Sequence, residues 1–176
     1  MKRIYLIGYM GAGKTSVGRI LAQRMNLMFI DLDQYIENRF HRTVPQLFVE
    51  KGESGFRTLE QHMLAEVSDF EDVLISTGGG TPCFFDNMEQ MKQHGTIVYL
   101  HVSVEELVKR LMLHQNTRPL LKDMSREEMT AFVADALEKR DSYYRQADIT
   151  FDAELMDTEQ ETHVAAESLE KILNRS

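Results

Sequence analysis

Eight residues near the N-terminus, Gly8-Tyr9-Met10-Gly11-Ala12-Gly13-Lys14-Thr15, constrain this chain more than any others. They fit the pattern G-x-x-x-x-G-K-[ST], in which glycines let backbone N–H groups curl around phosphate oxygens at the start of a helix. An apolar run, Ile4-Tyr5-Leu6-Ile7, leads into the loop, and Val17, Ile20, Leu21 and Met25 recur behind it at helical spacing. Strand, glycine loop and helix is the order the motif needs. Gly11, Ala12, Gly13, Lys14, Thr15 and Ser16 are therefore candidate triphosphate contacts. Lys14 can reach the β- and γ-phosphates, and the Thr15 hydroxyl can ligate Mg²⁺. A glycine-rich turn can also arise for steric reasons alone. The Lys-Thr pair and its flanks favour a nucleoside triphosphate, without saying what the triphosphate is for.

Downstream, strand-like runs at 4–7, 27–30, 72–76, 96–101 and 148–151 alternate with helical patterns. The helical stretches fall at 14–25, 34–40, 45–50, 55–70, 87–94, 104–113, 126–144 and 159–174. Alternating β and α with mostly apolar strands predicts a parallel sheet covered on both faces. Ser125-x-x-Glu128 and Thr158-x-x-Glu161 read as capping boxes at two helix starts. The polar segment 114–123, with Arg118-Pro119, interrupts the rhythm, because proline stops a helix from running through. In a phosphotransferase such a loop reads as a lid; a plain surface connection is the alternative.

At 176 residues the chain is expected to form one domain, 1–176. No apolar stretch approaches membrane-span length and no signal-peptide pattern precedes the glycine loop, so a cytoplasmic protein is expected, with no membrane partner. One cysteine, Cys83, fits a reducing compartment and reads as a plain thiol. The net charge of −8 argues against nucleic acid as a partner, so an anionic substrate would have to be met by local arginines.

Several charges stand where a solvated surface would not put them. On a helical wheel Arg140 falls about 20° from Met129, inside the apolar arc formed with Val133, Ala136 and Leu137. An inward arginine needs an anion, either an internal carboxylate or a ligand's acidic group, and the arc does not choose between them. Glu60 likewise lies within the stripe of Phe56, Leu59, Met63, Leu64 and Val67, with Arg57 at its margin and three residues away. Asp31-Leu32-Asp33 follows an apolar run; in extended backbone both carboxylates would project together, although Asp33 could instead cap the helix at 34. Gly78-Gly79-Gly80 follows another strand, where glycine permits a special turn or close approach of backbone to ligand. That strand ends without an acid, which leaves Asp31 as the candidate to help hold a metal, directly or through water.

The phosphate loop at 8–15, Asp31-x-Asp33, Phe56-Arg57-x-x-Glu60, Gly78-Gly79-Gly80, Arg118-Pro119-Leu120-Leu121, and Arg140 followed by Tyr144 together resemble the shikimate kinase family. The resemblance spans most of the chain. It implies a P-loop kinase fold: an α/β architecture with a central parallel five-stranded sheet flanked by helices, a lid at about 112–124, and a small substrate-binding segment at about 33–61. It implies transfer of the γ-phosphoryl of ATP to the 3-hydroxyl of shikimate, with Mg²⁺ as cofactor, ATP and shikimate as ligands, and a monomeric enzyme. Carried over position by position, Arg57 and Arg140 bind the substrate carboxylate, and Gly79 and Gly80 line that site. Asp33 contacts the ring hydroxyls as base, Lys14 and Arg118 act on the phosphates, and Thr15 with Asp31 serves the metal. The chain departs from the pattern at Leu111, where family members commonly carry an arginine against adenine; Arg110 stands beside it. A gluconate kinase or a non-catalytic nucleotide sensor are the competing readings.

Overall fold

The computed structural model describes residues 2–114 and 121–175. Five strands form one parallel sheet: β1 (Arg3–Ile7), β2 (Met28–Asp31), β3 (Val73–Ser76), β4 (Thr96–His101) and β5 (Ile149–Asp152), in the spatial order β2-β3-β1-β4-β5. The helices are α1 (Lys14–Arg24), α2 (Leu32–Phe40), α3 (Val44–Ser68), α4 (Asn87–His94), α5 (Val104–Leu113), α6 (Arg126–Tyr144) and α7 (Glu159–Leu173). A 3₁₀ turn (Thr81–Cys83) lies between β3 and α4.

β1 shows why the chain makes this sheet. Its residues alternate between two cores: Ile4 and Leu6 pack with α1, α5, α6 and α7, while Tyr5 and Ile7 pack with α2, α3 and α4. Being covered on both faces, β1, β3 and β4 are apolar almost throughout, as their sequence runs predict. The edge strands β2 and β5 are only partly buried. The chain passes from β1 outward to β2, then returns through β3 and crosses to β4 on the other side of β1. That reversal opens a crevice at the carboxyl end of β1, where the glycine loop lies.

Both predicted capping boxes are present, at Ser125 with Glu128 and Thr158 with Glu161. A third, Thr43 with Gln46, starts α3. The stretches read as separate helices at 45–50 and 55–70 are the two helical segments of 44–68, joined across a kink where Gly52 leaves helical geometry at φ 69°, ψ 173°. No described helix is long and apolar enough to cross a membrane.

Candidate active site

The loop after β1 turns into α1 through Gly13, whose φ of 90° lies in the left-handed region open to glycine. No side chain caps this helix start, so the amides of its first turn face the crevice, the arrangement that receives phosphate oxygens. Lys14 lies back along the loop, its Nζ donating to the carbonyls of Gly8 (2.8 Å) and Tyr9 (3.0 Å). Thr15 Oγ1 donates to Asp31 Oδ2 at 2.7 Å. The other Asp31 oxygen accepts from the Gln34 amide at 3.2 Å and caps α2.

This corrects the reading of the aspartate pair. Asp31, not Asp33, is the cap, and Leu32 and Asp33 are already helical. The two carboxylates do not share an extended strand; they meet in the crevice because α2 starts immediately at the end of β2. Asp31 pairs in register with Ser76, so it stands beside the acid-free tip of β3. Asp33 is half-buried, and its carboxyl is pushed up to about 6 by burial first, then by Glu60 and Asp31, with Lys14 opposing.

Across from Asp33 lies the glycine tip. A Cβ on Gly78 would sit 3.3 Å from Asp33 Oδ1, one on Gly79 3.1 Å from Arg140 Nη1, and one on Gly80 2.6 Å from Arg57 Nη2. Three successive positions thus abut the carboxylate and both arginines, and the missing side chains are what let the charges approach.

Arg57 is fixed from below. Its Nη1 donates to Glu60 Oε2 at 2.9 Å, and Glu60 Oε1 accepts from Thr81 Oγ1 at 2.7 Å. Glu60 is 1% exposed, which its two donors make tolerable. The Nε of Arg57 is buried with no hydrogen-bond partner. Arg140 is half-buried with its guanidinium 5.3 Å from the Tyr9 ring centre, and it makes no salt bridge among the described residues. No described carboxylate pairs with it to explain its place in the helix. Tyr144, one turn further along α6, is fully buried, donates to the Gly79 carbonyl at 2.6 Å and stacks on Tyr99. Cys83 is a free thiol that burial pushes up, against the pull of Arg140 and Arg57.

A cleft of about 460 Å³ runs from Asp33, Gly78 and Gly79 past Lys14 and Thr15 to Arg110 and Met156. At that far end Leu111 is buried, its Cδ2 3.3 Å from where a Gly11 Cβ would be. Arg110 lines the cleft, with Nε held by Glu106 (3.0 Å) and Asp157 (3.1 Å). Its Nη1 reaches the Gly11 carbonyl at 3.4 Å, and its Nη2 those of Ala153 (3.0 Å) and Glu154 (2.9 Å). Ser76, Thr77, Met156 and Asp157 also line the cleft and were not anticipated. Met156 and Asp157 lie between β5 and the Thr158–Glu161 capping box, which marks a helix start and not a ligand, although their place at a strand's carboxyl end was a signal. Arg118 and the centre of the expected lid lie outside the described residues.

Among the described residues no group of three or more histidine, cysteine, aspartate or glutamate side chains is placed to hold a metal ion together. The oxygen pair of Thr15 and Asp31 nevertheless suits Mg²⁺, a hard ion that takes few protein ligands and keeps waters and phosphate oxygens.

Residues 10–174 match the sequence profile of the family described as shikimate kinase. A shikimate kinase of Parabacteroides distasonis is 61% identical over 173 residues, covering 98% of this chain and 100% of the relative. The crystal structure of the Bacteroides thetaiotaomicron shikimate kinase superposes with a TM-score of 0.95 at 47% identity, covering 98% of each chain. That of an Acinetobacter baumannii shikimate kinase in complex with shikimate gives 0.85 at 37% identity, over 100% of this chain and 95% of the other. The chain belongs to the shikimate kinase family, and its reaction is the phosphorylation of shikimate.

Proposed function

We propose that the cleft transfers the γ-phosphoryl of ATP to the 3-hydroxyl of shikimate, with the substrate carboxylate seated between Arg57 and Arg140. The observation that carries this reading is the glycine tip, whose three residues abut Asp33, Arg140 and Arg57 in turn. A ring with a carboxylate at one end and hydroxyls at the other matches that spacing of charges. Two guanidiniums give a carboxylate bidentate, planar recognition that lysines would not reproduce.

Phosphoryl transfer asks the protein mainly for positioning and charge stabilisation. Gly11, Ala12, Gly13 and Ser16 would present the loop and first-turn amides to the phosphates, and Lys14 would exchange its loop carbonyls for phosphate oxygens. Gly79 and Gly80 would form the floor under the shikimate ring. Asp33 would orient the attacking hydroxyl and accept its proton late in the transfer; a carboxyl near 6 is mostly ionised at neutral pH and still basic enough to do so. Thr15 and Asp31 would hold Mg²⁺, which when bound neutralises charge on the β- and γ-oxygens. Arg110 and Met156 would flank the adenine. Arg118, by its place in the family motif, would act on the transferring phosphoryl group. We assign substrate binding to the segment at about 33–61, lid function to 112–124, and to the whole chain a single-domain, cytoplasmic monomer, a state that gel filtration would test.

The experiment is an ADP-release assay with Mg·ATP and shikimate, gluconate or no acceptor. Turnover with shikimate alone is the expected result. Equal turnover with gluconate, or none with any acceptor while nucleotide still binds, would remove the reading.

A further inference from the structure

We propose that Phe84 is a positioning residue for the substrate carboxylate, its ring face holding the Arg57 guanidinium in the plane that receives the carboxylate. The proposal rests on the assignment of Arg57 made above.

A guanidinium can be fixed along its edges and on its faces. Among the described residues Arg57 has one hydrogen bond, from Nη1 to Glu60, and a single bond leaves the group free to roll about it. The face supplies the second restraint. The Arg57 guanidinium carbon lies 4.1 Å from the Phe84 ring centre, closer than to Phe56 (5.5 Å) or Phe48 (5.7 Å). At that distance the negative face of the ring attracts the cation and favours parallel stacking. With Nη1 occupied and one face covered, the edge left over is Nε with Nη2. Nε is buried without a hydrogen-bond partner, and Nη2 lies so close to Gly80 that a Cβ there would come within 2.6 Å of it. Two N–H groups on one edge are the match for a carboxylate.

Phe84 is itself well anchored. Its backbone is extended, at φ −116° and ψ 144°, directly after the 3₁₀ turn, and its carbonyl accepts from the Asn87 amide at 3.2 Å. The Asn87 side chain donates to the Thr81 carbonyl at 2.9 Å, and Thr81 donates to Glu60. One turn therefore supplies the ring under Arg57 and steadies the carboxylate that holds its edge.

The test is steady-state kinetics with shikimate varied. Phe84→Leu is expected to raise the KM for shikimate about tenfold, with kcat and the KM for ATP within about twofold of the parent, and Phe84→Tyr to restore it. Replacing Phe84 by its mono-, di- and trifluorinated analogues keeps the shape of the ring while draining its negative face. The KM for shikimate should climb at each step. A flat fluorination series overturns the proposal, as does an unchanged KM in Phe84→Leu. Should the leucine variant not fold, the fluorinated series decides alone. Arg57→Ala separates the two levels: an unchanged KM sinks the assignment of Arg57, whereas a raised KM with a flat series sinks only the role of Phe84.

Discussion

Asp33 carries two opposed demands. Catalysis asks for an ionised carboxylate, yet its surroundings of buried atoms, Glu60 and Asp31 favour the proton. A folded-state value of about 6, above the ordinary 3.8, means that ionising Asp33 costs stability. The cost is absent below 3.8, grows as pH rises towards about 6, and is complete above that. Asp33→Asn should therefore stabilise the protein by ~1–3 kcal/mol at pH 7.5, with most of the gain gone at pH 4.5. Thermal unfolding in EDTA without nucleotide measures this, and a gain independent of pH would contradict it. The same variant should lose at least about a hundredfold in kcat while keeping its affinity for ATP. Such a residue, destabilising where it stands and kept for what it does, is a mark of a working site.

At the scale of elements, what the sequence disclosed depended on how local the cause was. The glycine loop, the capping boxes at Ser125 and Thr158, and the strand runs are each set by neighbours within a few residues, and they lie where the pattern puts them. The inward charge of Arg140 was legible as an anomaly from a helical wheel, but its setting depends on β3 and α6 meeting, which no local pattern encodes. Met156 and Asp157 were silent for the same reason: only the closing of β5 against β4 carries them to the cleft. The aspartate pair went wrong because α2 begins without a turn, and strand geometry was assumed two residues too far. The glycine tip gives the prediction at this scale. Gly80→Ala would set a Cβ 2.6 Å from Arg57 Nη2, and Arg57, held on one edge by Glu60 and on one face by Phe84, cannot yield freely. It should raise the KM for shikimate roughly ten- to a hundredfold, since displacements of about 1 Å have such effects, while leaving the KM for ATP unchanged.

For the whole molecule, the sheet is the common wall of two cores, one beneath the nucleotide end and one beneath Arg57. Leu169 belongs to the first and Leu64 to the second, and both are fully buried. Truncating either to alanine should cost about 2–5 kcal/mol. Because β1, β3 and β4 serve both cores, urea unfolding followed by far-UV circular dichroism and by tyrosine fluorescence should give coincident transitions in both variants. Separate transitions would mean that the two sides fold apart.

The double duty of Asp31 has a consequence for how the two ligands sense each other. One of its oxygens meets Thr15 in the phosphate loop, and the other pins the start of the helix that carries Asp33. A single side chain thus serves as a mechanical linkage between donor and acceptor ends. Whatever draws the Thr15 hydroxyl towards phosphate or metal changes the partners of the group anchoring α2, and by reciprocity whatever settles Asp33 is felt at Thr15. Cooperation between the two substrates then needs no long relay through the sheet; it is the width of one carboxylate.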